Sequence, residues 1–272
     1  MTNDVMLARL SPLELDELAR AVKLLERRSF ASRLTGVFGR KVQAIGRAAP
    51  APARRLIAHA SERALRVALR IAVRSLNLKP SRVAANRMHK AAVAASGAVG
   101  GAFGFSALAI ELPVSTTILL RSIADIAREE GEDLARPESS LACIEVFALG
   151  GPARGESAIE GGYFAVRAAL AQSVGESARF LLHGAAGEAA PALVRLTTQV
   201  AARFGVVVSE KAAAQAAPLL GALGGAAINV AFAEHFQNLA RGHFIVRRLE
   251  RRHGADAVRF EYTRLYNAAA AA

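Results

Sequence analysis

The chain has 272 residues, of which 53% are hydrophobic and only 6% aromatic, and it carries a formal net charge of +12. Because long alternating runs of β-branched residues are missing, the composition argues against a sheet protein and favours helices rich in alanine, glycine and leucine. The single cysteine, Cys143, excludes an intramolecular disulfide and a cysteine-rich metal site. We therefore predict an all-α fold that forms a single compact multi-helix domain.

The positive charge is concentrated in the N-terminal third. Residues 1–90 contain 19 Lys and Arg against 6 Asp and Glu, whereas residues 91–272 contain 16 against 17. A basic segment on a neutral body indicates attraction to an anionic surface, although an arginine-rich composition produces the same pattern. We divide the chain into an N-terminal basic helical arm, 1–53, and a helical domain, 54–272. Because the N-terminal region lacks the continuous apolar segment of a secretory signal, we predict a cytoplasmic protein.

The first predicted helix begins at Ser11 and Pro12, a good N-cap followed by a good first residue, and ends near Arg28. The clearest amphipathic helix covers 54–76, where arginines recur every three or four residues on one face. The arginines that we assign to lipid or anion binding are Arg55, Arg63, Arg66, Arg70 and Arg74. Such a helix can lie on an anionic membrane, and it can equally be an ordinary surface helix. Because no aromatic residues interleave with these arginines, we predict no nucleic acid partner.

Two uncharged stretches, 91–110 and 212–233, carry glycines four residues apart. This spacing lets another backbone approach closely, so we predict that the two stretches pack together as a central pair of Ala/Gly-rich apolar helices. The first stretch has the length of a bilayer span, but its alanine and glycine content favours a buried helix or an apolar hairpin. A pocket between the two stretches would bind a lipid chain.

Prolines and glycines place the remaining predicted boundaries. We expect Pro113 to open a helix that ends at Gly131, and Pro137 to open a helix that stops at Gly150. Gly254 is expected to end the last long helix. The other predicted helices cover 160–182, 190–217, 227–252 and 256–266.

Acids and histidines within apolar helices are the candidate catalytic residues. They are Glu111, Asp125, Glu145, His235 and His243. If they converged on one cavity, they would form a hydrolytic or metal-dependent enzyme site of the kind built between facing helices. The simpler interpretation is a structural polar network, in which Asp125 pairs with a neighbouring arginine and Glu111 satisfies free N–H groups at a helix start. Because no histidine–carboxylate metal motif and no phosphate loop occurs, we predict no metal and no cofactor.

Several segments resemble the EcsC family. They are Glu-Leu-Pro-Val-Ser-Thr-Thr at 111–117, the helical pattern at 120–128, Gly-Glu-Asp-Leu at 131–134, the apolar run 141–151, and Glu-His-Phe at 234–236 with the arginine-rich pattern at 240–250. The resemblance covers roughly residues 60–265. It implies a helical protein, and the operon that names the family also encodes the ATPase and membrane subunits of an ABC transporter. It implies no agreed catalytic activity, so no catalytic role is carried over to these positions.

These observations lead to one function hypothesis and two alternatives. The first is a non-enzymatic accessory protein of bacteria, peripheral on the inner membrane, which contacts anionic lipid and is associated with the ABC transporter components of transport or secretion. The first alternative is a hydrolase or metal-dependent enzyme that uses a buried Glu/Asp/His cluster. The second alternative is a protein that binds a lipid chain between the two glycine-rich stretches.

Overall fold

The computed structural model describes residues 10–26, 30, 51–75, 108–151, 162–183, 191–215 and 221–271, and within these residues it contains eight α-helices and no strand. In chain order the helices are α1 (Pro12–Leu25), α2 (Ala51–Ser75), α3 (Leu108–Glu129), α4 (Pro137–Leu149), α5 (Tyr163–Leu182), α6 (Pro191–Gln215), α7 (Gly221–His253) and α8 (Ala255–Ala271). They pack around one hydrophobic core, which confirms the predicted all-α single domain.

Local sequence signals set several helix ends as predicted. Ser11 caps α1: its hydroxyl accepts a hydrogen bond from the N–H of Glu14, and the Glu14 carboxylate accepts one from the N–H of Ser11. This reciprocal pair satisfies two N–H groups that would otherwise have no partner at the helix start. Gly131 ends α3 with φ of 78°, and Gly254 separates α7 from α8 with φ of 87°. Both glycines adopt the left-handed conformation that a side chain disfavours.

Helix α4 lies at the centre of the described helices. It packs against α2, α3, α5, α6 and α7. Every residue of α4 except Glu138 is buried. A helix that is apolar on all sides has no solvent face, so it can be stable only when it is surrounded by other helices. The position of α4 therefore follows from its composition.

Phenylalanine rings fill the space beside the C-terminal half of α4. Phe147 of α4 lies 5.2 Å from Phe204 of α6 and 5.4 Å from Phe236 of α7, measured between ring centroids. Phe232 lies 5.1 Å from Phe236 and 5.6 Å from Phe30, which extends the cluster toward α1. All five rings are fully buried. The edge-to-face pairs among them, such as Phe147 with Phe204, contribute about 0.5–1.5 kcal/mol each beyond the burial of their area. A few aromatic residues therefore stabilise much of this core.

A close backbone contact holds α1 on α7. A Cβ added at Gly242 would lie 2.7 Å from Cγ of Leu25 and 3.2 Å from the carbonyl oxygen of Ala21. The side chains of Leu18 and Val22 are buried on the same face of α1. Helix α1 belongs to the predicted N-terminal arm, and it packs on both α7 and α8. The division at residues 53 and 54 stays a prediction.

Three predicted helix boundaries are wrong. Helix α3 begins at Leu108, so Pro113 lies within the helix and not at its start. A proline at this position removes one backbone hydrogen bond, and the buried contacts of the neighbouring Glu111 and Leu112 hold the turn in place. Helix α7 begins at Gly221 and not at 227, and α8 continues to Ala271 instead of ending at 266.

The predicted central pair of glycine-rich helices falls largely outside the described residues. Only 108–110 of the first stretch are described, so its packing against the second stretch stays a prediction. The described parts of the second stretch end α6 and begin α7. Within the described residues, α6 alone is long and apolar enough to cross a membrane. Because α6 packs on α2, α4, α5 and α7, it is also a core helix, and core helices meet the same criterion.

Candidate functional site

Glu111, the first predicted site residue, binds a buried lysine. Its Oε1 accepts a hydrogen bond of 2.6 Å from Nζ of Lys211 and one of 2.9 Å from Nδ2 of Asn229. The three residues belong to α3, α6 and α7 respectively. Glu111 is 7% exposed, and the other two side chains are fully buried. We call Glu111 and Lys211 the core ion pair. It is not the helix cap that the sequence predicted for Glu111.

The core ion pair is stabilised by contacts on both of its charges. Burial lowers the pKa of Lys211, and the attraction of Glu111 opposes that change. The ammonium nitrogen also lies 4.7 Å from the ring centroid of Phe232, within range of a cation–π interaction. A buried charge without such partners would be strongly destabilising, because its lost hydration would not be replaced. The pair therefore ties α3, α6 and α7 together.

Glu145 and His243 lie where α4, α5 and α7 meet. The hydroxyl of Tyr163 and Nδ1 of His243 form a hydrogen bond of 2.9 Å. Nε2 of this fully buried imidazole has no hydrogen-bond partner among the described residues. Glu145 is 5% exposed, and the charges of Arg167 and Arg247 act on its carboxyl group through space. We call Glu145, His243 and Tyr163 the acid–imidazole cluster.

Two arginines beside the acid–imidazole cluster are already paired with other carboxylates. Arg167 donates hydrogen bonds of 2.7 and 3.0 Å to the two oxygens of Glu250. Arg247 donates hydrogen bonds of 2.8 and 3.3 Å to the two oxygens of Glu132. Bidentate pairs of this kind are strong and have a defined geometry. Their guanidinium groups act on Glu145 through space, but their hydrogen bonds go elsewhere.

Burial and these arginines shift the protonation equilibria of the cluster. Burial raises the pKa of Glu145 to about 7, and Arg167 and Arg247 act in the opposite direction. Burial lowers the pKa of His243 well below its ordinary value, and the two arginines lower it further. Burial also raises the pKa of Tyr163. Near neutral pH the cluster therefore combines a neutral imidazole with a carboxyl group that can gain or lose a proton.

His235 packs among aromatic rings. Its ring centroid lies 5.5 Å from that of Phe30 and 5.2 Å from that of Phe236. Its Nε2 lies 3.4 Å from the carbonyl oxygen of Gly150, at the end of α4. A Cβ at Gly150 would lie only 3.0 Å from this nitrogen, so the glycine allows the close approach. The surroundings of His235 are those of a core side chain.

Asp125 forms the local ion pair that the sequence predicted. Its Oδ1 accepts a hydrogen bond of 2.8 Å from Nη1 of Arg128, one turn further along α3. Both side chains are partly exposed, at 26% for Asp125 and 40% for Arg128. Pairs of this kind on a helix surface contribute only a few tenths of a kcal/mol, on the order of 0.3–0.5.

The five candidate residues do not meet in one place. Asn229, which holds Glu111, and His243 are both on α7, and a rise of 1.5 Å per residue separates them by about 21 Å. His235 lies about 12 Å along the same helix from His243. Among the described residues no group of three or more His, Cys, Asp or Glu side chains is arranged to hold a metal ion. The structure therefore separates Glu111 and His235 from His243 along α7.

The predicted basic stripe of α2 lies on the outside of the protein. Arg55, Arg63, Arg66 and Arg74 are exposed, and Arg70 is half-buried. Together with His59 and Val67, three of these arginines line a shallow groove: Arg63, Arg66 and Arg70. The opposite face of α2 is buried in the core, including Ile57, Leu65 and Leu69. We call the arginine-bearing side the basic face of α2.

The chain matches the model of the EcsC protein family over residues 14–249. It belongs to the EcsC protein family. The match begins nearer the N-terminus than the motifs indicated and ends before residue 265. No curated protein and no solved structure matches the chain.

The EcsC region contains both buried polar sites. All five candidate residues, Lys211 and Tyr163 lie between residues 14 and 249, as does the whole of α2. Glu250 lies directly beyond the EcsC match, and α8 lies entirely outside it. The acid–imidazole cluster is therefore part of the EcsC region, whereas one of the ion pairs beside it joins that region to the following residues.

Sequence reasoning missed Lys211, Tyr163 and Arg167. A signal for Lys211 was present, because only Glu210 and Lys211 are charged within 204–233. A charge inside such an apolar segment needs a buried partner if the segment forms core helices. Tyr163 and Arg167 carry no comparable local signal, because aromatic and arginine residues are ordinary at the start of a helix. Their roles depend on α7, which contacts them from a distant part of the chain.

A surface pocket adjoins the acid–imidazole cluster. It is lined by Glu26, Gly162, Tyr163, Phe164, Arg259, Tyr262, Thr263 and Tyr266. Glu26 accepts a hydrogen bond of 3.2 Å from the backbone N–H of Tyr163 and one of 2.9 Å from the hydroxyl of Tyr262. A carboxylate at this position compensates the positive end of the α5 dipole. Tyr163 therefore connects the pocket to His243 in the interior.

Proposed function

We propose that this EcsC family protein is a non-enzymatic, peripheral membrane protein that binds anionic lipid through the basic face of α2. The observation that carries the proposal is the arrangement of charge on this helix. Its outer side has the five arginines of the predicted stripe against one acid, Glu62. Glu62 pairs with Arg66, so this side of the helix keeps a clear excess of positive charge.

The packing of α2 supports an electrostatic mode of binding. Its apolar residues are in the core, in contact with α3, α4 and α6. The helix therefore cannot bury that apolar face in the lipid while the fold stays intact. Binding would rely on the attraction between arginine side chains and lipid headgroups, which contributes about 1 kcal/mol for each basic residue near the surface. Because salt screens this attraction, binding should weaken as ionic strength rises.

Sedimentation with lipid vesicles tests the proposal. The full chain should bind vesicles that contain phosphatidylglycerol and should not bind vesicles of phosphatidylcholine alone. Replacement of three exposed arginines by glutamine, Arg55→Gln, Arg63→Gln and Arg74→Gln, should lower the affinity about 100-fold, which corresponds to about 3 kcal/mol. Added salt should lower the affinity of the unchanged protein in the same direction.

A matched variant controls for total charge. Arg136, Arg252 and Arg264 are exposed on other parts of the described surface. Their replacement by glutamine changes the net charge by the same amount and should alter the affinity by less than about threefold. Equal losses in the two triple variants would contradict a role for α2 in particular. Equal binding to neutral and anionic vesicles would contradict the proposal as a whole.

The partner and ligand that the sequence suggested stay predictions. Association with ABC transporter components derives from the family resemblance alone, and the basic face of α2 would place the protein at the cytoplasmic side of the inner membrane beside them. Binding of a lipid chain requires both glycine-rich stretches, and the first of these lies outside the described residues. Native mass spectrometry of the purified protein would detect such a lipid.

A further inference from the structure

The surface pocket beside the acid–imidazole cluster contains every tyrosine of the chain. The sequence has three tyrosines and no tryptophan, and Tyr163, Tyr262 and Tyr266 all line this pocket. The first belongs to α5 and the other two to α8, so the fold brings them together from distant parts of the chain. Tyrosine combines a large apolar ring with a polar hydroxyl, and it is enriched at binding interfaces. This concentration makes the pocket a candidate binding site, and we call it the tyrosine pocket.

Glu26, directly after α1, supplies a carboxylate to the tyrosine pocket. Its Oε1 accepts both of its hydrogen bonds, from the N–H of Tyr163 and from the hydroxyl of Tyr262. These two bonds hold the carboxylate in place. Among the described residues the other oxygen, Oε2, accepts no hydrogen bond, and no cation forms an ion pair with Glu26. A fixed carboxylate with one unused oxygen is suited to a positively charged N–H donor.

Arg259 supplies the opposite charge at the edge of the same pocket. It is exposed, and its guanidinium carbon lies 5.7 Å from the ring centroid of Phe164, another lining residue. In the described part of the chain it forms no ion pair with an acid, and therefore none with Glu26. Two opposite charges that line one pocket without pairing are complementary to a ligand that carries both charges.

The size of the tyrosine pocket limits what can enter it. Its cavity volume is about 30 Å³, which accommodates about two water molecules or one small polar group. Besides Oε2 of Glu26, the hydroxyls of Tyr262 and Thr263 can accept hydrogen bonds, because each already donates its hydrogen to a protein oxygen. A primary ammonium group is small and has three N–H donors, whereas a trimethylammonium group is larger and has none. The lining of the pocket therefore favours a primary ammonium group.

We propose that the tyrosine pocket binds a zwitterionic group made of a primary ammonium and a phosphate, as in ethanolamine phosphate and in the headgroup of phosphatidylethanolamine. The ammonium group enters the pocket, where it donates to Oε2 of Glu26 and lies against the tyrosine rings. The phosphate stays at the edge, where Arg259 binds it. Because the site is built from α5, α8 and the end of α1, it does not depend on the basic face of α2.

The distance between its two charges distinguishes this ligand from simpler amines and amino acids. In an α-amino acid the carboxylate and the ammonium are on the same carbon, so the carboxylate would lie close to Glu26 and be repelled by it. In ethanolamine phosphate an ethylene spacer separates the charges, which lets the phosphate remain beside the exposed Arg259. An amine without an anionic group would gain no contact with Arg259 and would be repelled by its charge.

Tyrosine fluorescence of the full chain measures binding at this site. Because the chain has no tryptophan and all three tyrosines line the pocket, the emission reports on the pocket itself. Ethanolamine phosphate should change the emission with a saturable dependence on its concentration. Ethanolamine and choline phosphate should each bind about tenfold more weakly or worse, because each lacks one of the two charge-assisted contacts.

Variants of single charges locate the site. Glu26→Gln keeps an acceptor oxygen for Tyr163 and Tyr262 but removes the charge, so it should weaken the binding of ethanolamine phosphate about 10- to 100-fold. Asp256→Asn removes an exposed acid of α8 that does not line the pocket, so it should leave the affinity unchanged.

Vesicles identify the source of the zwitterionic group. Vesicles of phosphatidylglycerol with phosphatidylethanolamine should reproduce the fluorescence change if the natural ligand is a lipid headgroup, and vesicles with phosphatidylcholine in its place should not. A response to soluble ethanolamine phosphate alone would assign the site to a free small molecule. The triple variant of α2 should lose vesicle binding and keep the response to soluble ethanolamine phosphate, so the two proposals can fail separately.

Three results would overturn the proposal: no saturable response to ethanolamine phosphate, equal binding of choline phosphate, or an unchanged affinity in Glu26→Gln. If Glu26→Gln does not fold, Arg259→Gln decides instead, because this side chain is exposed and forms no ion pair with an acid among the described residues. Arg259→Gln should abolish the preference for ethanolamine phosphate over ethanolamine. A preference that persists in this variant would contradict the role of Arg259 as the phosphate-binding group.

Discussion

Glu111 and Glu145 are two buried carboxyl groups with different surroundings. Both are nearly inaccessible, at 7% and 5% exposure. Glu111 accepts hydrogen bonds from Lys211 and Asn229, which α6 and α7 bring to it. Glu145 lies beside two arginines whose hydrogen bonds belong to other carboxylates. Burial alone therefore does not decide how an acid behaves, because the partners that the neighbouring helices supply are equally important.

The two sites also differ in role: the core ion pair stabilises the fold, whereas the acid–imidazole cluster contains groups that can exchange protons. The two charges of the core ion pair are satisfied by each other and by Asn229, so the pair stabilises the packing of three helices. The acid–imidazole cluster contains an imidazole nitrogen without a hydrogen-bond partner among the described residues, and a buried carboxyl group with a raised pKa. Groups of this kind are where proton exchange, water binding or conformational switching can occur. Variants at the two sites should therefore respond in opposite directions.

The largest effect is expected for Lys211→Met, which keeps much of the side-chain volume and removes the charge. Glu111 would then be a buried carboxylate without its cation, so the free energy of unfolding should fall by about 3–5 kcal/mol. Urea unfolding at neutral pH measures the change. The double variant Lys211→Met with Glu111→Gln should recover most of the loss, because no isolated charge remains. A single variant that costs less than about 1 kcal/mol would show that the pair is not a structural tie.

A smaller effect with the opposite sign is expected for Glu145→Gln. The pKa of Glu145 is raised from 4.5 to about 7 in the folded state, so its stabilising contribution is complete below pH 4.5 and is lost as pH rises through about 7. Glutamine does not titrate, so the variant should gain stability relative to the unchanged protein over this range. Above the folded-state pKa the gain approaches about 3 kcal/mol. Unfolding measured across this pH range checks the sign, and a difference that is constant with pH would contradict the prediction.

The smallest effect is expected for Asp125→Asn. Asp125 and Arg128 form a partly exposed pair within one helix, so the variant should change the free energy of unfolding by less than about 1 kcal/mol. The change should also diminish in high salt, unlike the effect at Lys211. Thermal unfolding at low and high ionic strength measures both properties. A large loss that is insensitive to salt would mean that Asp125 belongs with the buried acids.

Much of the fold was predictable because its signals are local. The cap at Ser11, the left-handed glycines Gly131 and Gly254, and the proline that begins α4 each act within a few residues of the chain. Pro113 misled the prediction for α3 because a proline only favours a helix start and does not require one. The tertiary contacts of Glu111 and Leu112 extended the helix beyond it.

The candidate site was predictable only in part. The sequence identified Glu145 and His243 as unusual, because each polar side chain interrupts an apolar helix. It could not distinguish Glu145 from Glu111, since each glutamate follows an isoleucine and precedes another aliphatic residue. It also grouped both with His235, which proved to pack among phenylalanine rings. The hydrogen-bond partners of Glu111, His235 and His243 are 80 or more positions away in the chain.

Composition, capping residues and periodicity determined the helical class, most of the helix ends and the outward basic face of α2, and the resemblance of several motifs indicated the EcsC family, because each of these signals lies in short stretches of chain. Tertiary structure alone determined that the buried acid Glu111 pairs with a lysine and that Glu145 does not. That choice depends on how α6 and α7 pack against α3 and α4, and the free energy of a buried charge is set by the few groups within hydrogen-bond reach.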